Sequence, residues 1–195
     1  THSYSHLNDI YHDTIREQIF SRFENYIVRQ KEACFFGKIE LVDIELKSAK
    51  SRRSVAMKLL HKAENVAADI FDWIGIRFIT KYRSDVLDVL AYLREKHIIT
   101  YANLKPSRSR NTLIDLNWVN QCFDRKMSIG EMRKEMQSME CPSFDNAPVQ
   151  NPFSEASYHS VQITCRQRIK VKQSDDKKFC FYFPFEIQMM DHYSY

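Results

Sequence analysis

Glycine is scarce in this chain: 3 among 195 residues, at Gly37, Gly75 and Gly130. No two stand close together, so neither a G-x-G-x-x-G turn nor a Walker A loop can form, and no G-x-S-x-G elbow or H-E-x-x-H helix occurs. A glycine cradle for phosphates is therefore excluded; if this protein handles phosphates, it does so with side chains and a metal ion. Long apolar runs are missing too. None approaches the roughly 20 residues that a bilayer span needs, and Thr1 to Asn8 has no signal-peptide core. We therefore expect no membrane partner and a cytoplasmic location. The five cysteines (Cys34, Cys122, Cys141, Cys165, Cys180) are odd in number, scattered and without a C-x-x-C pair. That argues against a zinc ribbon or a redox motif and for free thiols.

What is present suffices for a core. Hydrophobic residues make up 44% and aromatics 13%, and the length suits one domain. The net charge of +4 is mild, but its distribution is uneven. Lys47, Lys50, Arg52, Arg53, Lys58 and Lys62 follow one another with no acid between them. Lys105, Arg108 and Arg110 form a second group; Arg166, Arg168, Lys170 and Lys172 form a third. Taken singly, each group reads as solvated surface; together they suggest a polyanionic partner, nucleic acid or nucleotide polyphosphate.

Apolar periodicity predicts a helix over about Ser5 to Gln30, carried by Leu7, Ile10, Tyr11, Ile15, Ile19, Phe23, Tyr26 and Ile27. Lys38 to Lys47 predicts a strand with an irregularity near Val42. Val55 to Ile70 reads as a helix, Ile74 to Thr80 as a buried strand, Ser84 to Lys96 as a capped helix and Ile98 to Leu104 as a strand. Between about 105 and 151 the pattern weakens into an insertion, in which Ser128 to Glu131 fits a capping box before a short helix. From Tyr158 onward the chain alternates. Val161, Ile163 and Cys165 oppose Ser160, Gln162 and Thr164, and Arg166 to Lys172 prolong the polar face. Phe179, Phe181, Phe183, Phe185, Ile187 and Met189 form an apolar face opposite Tyr182, Glu186 and Gln188, with a polar turn around Asp175. The expected fold class is α+β: a mixed sheet of about five strands with flanking helices. The expected organisation is an N-terminal helix over 1–34 and a main domain over 35–195.

Three segments stand out chemically: Lys50-Ser-Arg-Arg-Ser54-Val-Ala-Met-Lys58; Asp72-Trp-Ile-Gly75-Ile-Arg77; and Tyr158-His-Ser160 paired with Glu186-Ile-Gln188. In these residues and their order, the chain resembles the synthetase domain of RelA/SpoT-type alarmone synthetases. Lys50, Ser54 and Lys58 fit that family's lysine–serine–lysine spacing, Asp72 to Arg77 fits its D-x-x-G-I-R, and Glu186 to Gln188 fits its E-[VI]-Q. Of its G-Y-R-S only Tyr158 and Ser160 are kept. Ser48 stands where the family usually has an arginine, thought to sandwich adenine with the arginine of G-I-R. Gln162 replaces a histidine.

The resemblance implies a nucleotidyltransferase-like fold and Mg²⁺-dependent transfer of pyrophosphate from ATP to the 3′-hydroxyl of a nucleotide, by default a guanine nucleotide. It implies that Asp72 and Glu186 hold the metal, with Glu186 also the general base. Lys50, Lys58, Arg77 and Ser54 would meet the donor; Tyr158, Gln188 and His159 would meet the acceptor. The chemistry agrees, because phosphoryl-type transfer needs positioning and charge neutralisation more than covalent catalysis, and Mg²⁺ prefers oxygen ligands. Three other readings stand beside it: a toxin-type relative acting on tRNA or adenine nucleotides, a catalytically silent nucleotide sensor, and an RNA-binding α/β domain. RNA is thus a further candidate partner, and assembly into a homo-oligomer is left open.

Overall fold

The computed structural model describes residues 3–31, 33–48, 74–139, 159–172 and 178–195. Helix α1 (Ser3–Glu24) is followed by strands β1 (Ile27–Arg29), β2 (Cys34–Phe36), β3 (Ile39–Lys47) and β4 (Gly75–Thr80), helix α2 (Asp85–Glu95), strand β5 (Arg110–Asn111), helices α3 (Leu116–Asp124) and α4 (Ile129–Ser138), and the long strands β6 (Val161–Lys172) and β7 (Lys178–Asp191). The strands make one sheet in the order β1-β2-β3-β4-β7-β6-β5. Every pairing is antiparallel except β4 with β7.

The expected mixed α+β architecture is present, with seven strands instead of about five. The extra ones, β1, β2 and β5, are two or three residues long, too short to show alternation in a sequence. Two expected element assignments fail. The N-terminal helix stops at Glu24, not near Gln30, and Ile27–Arg29 pairs with Cys34–Phe36 instead. Tyr26 and Ile27 fit both a helical and a strand period, and the partner strand decides between them. Ile98 to Leu104 is not a strand. Its middle is a 3-10 turn, Tyr101–Asn103, and Leu104 makes a single bridge to Cys165. Asn103 explains this: its side-chain oxygen accepts the Thr100 amide at 2.7 Å, and its amide nitrogen donates to the Ile98 carbonyl at 3.1 Å. Local Asn chemistry thus overrides a short apolar run.

Other readings hold. The β3–β4 register shifts between Leu41 and Asp43, as the irregularity near Val42 implied. Ser128 and Glu131 cap each other at the start of α4. The described cysteines Cys34, Cys122, Cys165 and Cys180 are free thiols. The predicted helix over Val55–Ile70 lies outside the described residues.

The core forms on one face of the sheet. Ile76, Phe78, Phe183, Phe185, Ile187 and Met189 are fully or almost fully buried there. From α1, Phe23 meets Phe78 and Phe185 with ring centroids 6.3 and 6.1 Å apart. Val86, Val89 and Leu93 of α2 join the same cluster. Fully burying one such side chain stabilises the fold by roughly 1.5–3 kcal/mol. The described part of the 105–151 segment belongs to this layer: Arg133 of α4 pairs with Asp88 of α2 at 2.5 Å, and Trp118, Cys122, Met132 and Met136 are buried. Phe179 departs from the expected core face, since it lies near the free end of the hairpin and is 40% exposed.

Candidate active site

With α1 and α2 on the apolar face, the other face of the central strands carries polar side chains. Residues paired across a ladder project to the same side of a sheet. Two adjacent rows result. In one, Glu45 of β3, Arg77 of β4, Gln188 of β7 and Gln162 of β6 stand side by side. In the next, Lys47, Gly75, Glu186 and Thr164 do so. The parallel β4–β7 pairing is what joins G-I-R to E-I-Q: Gly75 lies opposite Glu186 and Arg77 opposite Gln188. The Glu186 amide also bonds the Ile74 carbonyl at 3.0 Å.

Arg77 holds the first row together. Its Nε donates to Gln188 Oε1 at 2.8 Å, and one terminal nitrogen donates to Glu45 Oε2 at 3.1 Å. Lys47 Nζ pairs with the same Glu45 oxygen at 2.8 Å, while the Tyr195 hydroxyl donates to Glu45 Oε1 at 2.8 Å. The Tyr195 ring lies over the Arg77 guanidinium, 5.8 Å from its centre. Partial burial works to raise the Glu45 carboxyl, but hydrogen bonds from Lys47 and Tyr195, with the charges of Lys47 and Arg77, outweigh it and lower its pKa. The Tyr195 phenol is pushed up, chiefly by its hydrogen bond to Glu45.

Glu186 is half-buried, and no side chain among the described residues hydrogen-bonds or ion-pairs with its carboxylate. Beside it, Gly75 has no side chain, and a Cβ there would meet only the Glu186 carbonyl oxygen, at 3.8 Å. Gly75 opens β4, so no side chain of that residue stands in the way of a ligand there. On the far side Thr164 is covered by the 105–109 segment: its hydroxyl donates to the Arg108 carbonyl at 3.2 Å, and its carbonyl accepts the Lys105 amide at 2.8 Å.

Of the residues singled out from sequence, Arg77, Glu186 and Gln188 are brought together. His159 is placed just before β6, where its Nδ1 donates to the Thr112 carbonyl at 2.7 Å and so ties the segment around Thr112 to β6. Lys50, Ser54, Lys58, Asp72 and Tyr158 lie outside the described residues. Glu45 and Tyr195 were not anticipated, and Lys47 only as one of a basic group. The alternation of β3, with Ile44 and Leu46 inward, already put Glu45 and Lys47 on the polar side; nothing in the sequence signalled Tyr195. Among the described residues no group of three His, Cys, Asp or Glu side chains could hold a metal ion. No described helix is long and apolar enough to cross a membrane.

Fold and site together define an α+β protein with a charged, open sheet face. Among solved structures, the chain is similar to a GTP pyrophosphokinase family protein from Streptococcus pneumoniae, at 12% identity and a TM-score of 0.41 over 78% of this chain and 53% of that one. It is similar to small alarmone synthetase 2 from Bacillus subtilis, at 14% identity and a TM-score of 0.43 over 92% of this chain and 66% of that one. It is also similar to small alarmone synthetase 1 from Bacillus subtilis bound to its product pppGpp, at 10% identity and a TM-score of 0.40, covering 78% and 56%. The chain thus spans between about half and two thirds of the length of these proteins. No protein-family profile matches it, and no curated protein does.

Proposed function

We propose that this chain transfers pyrophosphate from ATP to the 3′-hydroxyl of a guanine nucleotide. The observation that carries the reading is the in-register alignment of Gly75-Ile-Arg77 with Glu186-Ile-Gln188 on two parallel neighbours, which sets the Glu186 carboxylate, without a side-chain partner among the described residues, beside the row that Arg77 holds together. In the balanced step, the 3′-oxygen bonds to the β-phosphorus of ATP and the α–β bridging P–O bond breaks. AMP leaves with that electron pair, and the hydroxyl proton passes to the Glu186 carboxylate, which suits a general base. Arg77, held by Gln188 and Glu45, presents a guanidinium that neutralises phosphate charge without reorganising.

The donor chemistry fits Mg²⁺, which commonly binds through one or two carboxylates plus substrate phosphates. Glu186 would supply one such oxygen and Asp72 a second. The ion, when bound, would neutralise charge on the phosphate chain. Lys50, Lys58 and Ser54 are assigned to the donor, and Tyr158 and His159 to the acceptor, through the family motifs alone.

The test is incubation with γ-labelled ATP, Mg²⁺ and separate acceptors GDP, GTP, ADP, AMP and tRNA, beside Glu186→Gln. We expect one labelled product from a guanine nucleotide, with the variant roughly 10²–10⁴-fold slower. Product from tRNA or an adenine nucleotide instead would replace the acceptor assignment. Nucleotide binding with no product from any acceptor would make the chain a sensor.

A further inference from the structure

The polar face does not end at Glu186. Strand β4 pairs with β7 only from Glu186 to Asp191. From Cys165–Phe185 to Lys172–Lys178, β6 and β7 therefore run on as a two-stranded ribbon beyond the central strands. Its inner face is covered by α1: Tyr11 packs on Phe181 and Tyr4 on Phe183, each with ring centroids 6.0 Å apart, and Ile169 is fully buried. Gln18 of α1 clamps the ribbon edge, accepting the Lys170 amide at 3.0 Å and donating to the Lys170 carbonyl at 2.7 Å. The ribbon is thus a backed, hydrogen-bonded platform.

Its outer face carries Arg166, Arg168, Lys170 and Lys172 on β6, all exposed, and Lys178 and Tyr182 on β7. Arg168 is directly opposite Tyr182, and Lys172 opposite Lys178. Among the described residues, none of these five cationic side chains makes a hydrogen bond or an ion pair. Tyr182 is 59% exposed, an aromatic face left to solvent amid positive charge. Within the ribbon's span, 165–185, the only acids are Asp175 and Asp176, in the turn outside the described residues, and Glu186 stands at the ribbon's inner end. Successive cations on one strand face stand about 6.6–6.8 Å apart.

We propose that this outer face is a binding track for single-stranded nucleic acid. Regularly spaced cations along one line suit successive phosphates, and an exposed ring among them offers a stacking surface available only to unpaired bases. A duplex hides its base faces, so Tyr182 has a role only with a single strand. The track does not depend on the transfer reaction: nucleic acid can bind there whether or not Glu186 is catalytic.

The test is fluorescence anisotropy of a labelled 12-nucleotide RNA, and of the same sequence as a duplex, with the full chain at several salt concentrations. For five phosphate contacts the slope of log K against log salt is expected near −3.5, at about −0.7 per contact. The alanine variant of Arg166, Arg168, Lys170 and Lys172 together should bind at least about 10-fold more weakly, with a slope nearer −0.7. Tyr182→Ala should lose about 5-fold or more while Tyr182→Phe retains binding, because stacking needs the ring and not the hydroxyl. An Arg16 and Lys134 double alanine, which removes exposed charge elsewhere, should bind as the parent does. Absence of binding by the parent, equal affinity for duplex, or equal loss in the control variant would overturn the proposal. So would capture by phosphatidylserine vesicles in place of the RNA. The salt slope of the unsubstituted chain keeps the test decisive even if the fourfold variant fails to fold.

Discussion

The guanidinium of Arg77 reaches both neighbouring strands, bonding Gln188 on one side and Glu45 on the other. Glu45 is the more consequential partner, because Lys47, Arg77 and Tyr195 all converge on it. Its lowered pKa is a statement about stability. A carboxyl whose folded pKa lies below its ordinary 4.5 contributes stability that is fully present above that value and is lost as pH falls through the folded one. Comparing urea midpoints of the parent and Glu45→Gln, we expect the parent to be more stable at pH 6–8, and the difference to shrink as pH falls below 4.5. A difference constant down to pH 3 would mean that Glu45 acts by shape and not by charge. Elsewhere, burial pushes the Cys165 thiol to about 12, which leaves it inert.

At the scale of elements, turns carry demands that sequence periodicity does not show. Gly37 between β2 and β3 has φ +62, and its absent Cβ would lie 2.4 Å from the Tyr92 ring. Tyr92 in turn packs edge-on against Phe36 and Tyr26, at 5.1 and 5.7 Å. Gly37→Ala therefore meets a backbone penalty of about 1–2 kcal/mol and a clash with an aromatic cluster. We expect at least that loss in urea denaturation; a change below 0.5 kcal/mol would show that Tyr92 moves freely and the turn relaxes. The ends of α2 and α3 are closed by left-handed residues that are not glycine. His97 and Lys126 have φ 54 and 55, with Ile98 bonding back to Leu93 and Met127 to Cys122. Helix ends of this type are ordinarily marked by glycine, so neither stop could be read from residue identity.

For the molecule as a whole, Phe23 joins what is distant in sequence. It links α1 to β4 and β7 through Phe78 and Phe185 and is fully buried. Phe23→Ala should destabilise the chain by about 3–5 kcal/mol, with fluorescence and circular dichroism melting together. Separate transitions for the two probes would show instead that α1 folds independently of the sheet.

Alternation and motif spacing were enough to identify the hairpin β6–β7, the buried strand β4, helix α2, the capping box of α4, and a basic, glycine-poor chain with no glycine cradle for phosphates. These are properties of neighbours along the chain, where a period of two or of 3.6 residues leaves a direct trace. The sequence also named Arg77, Glu186 and Gln188, but only as members of separate motifs. That they share one open face was decided by the parallel pairing of β4 with β7, a contact between segments over a hundred residues apart. The same holds for the capture of Ile27–Arg29 by β2, for the convergence of Lys47, Arg77 and Tyr195 on Glu45, and for the extension of the polar face along the basic ribbon. Register between distant strands depends on which faces can be buried together, and that is a property of the packed sheet and of no single segment.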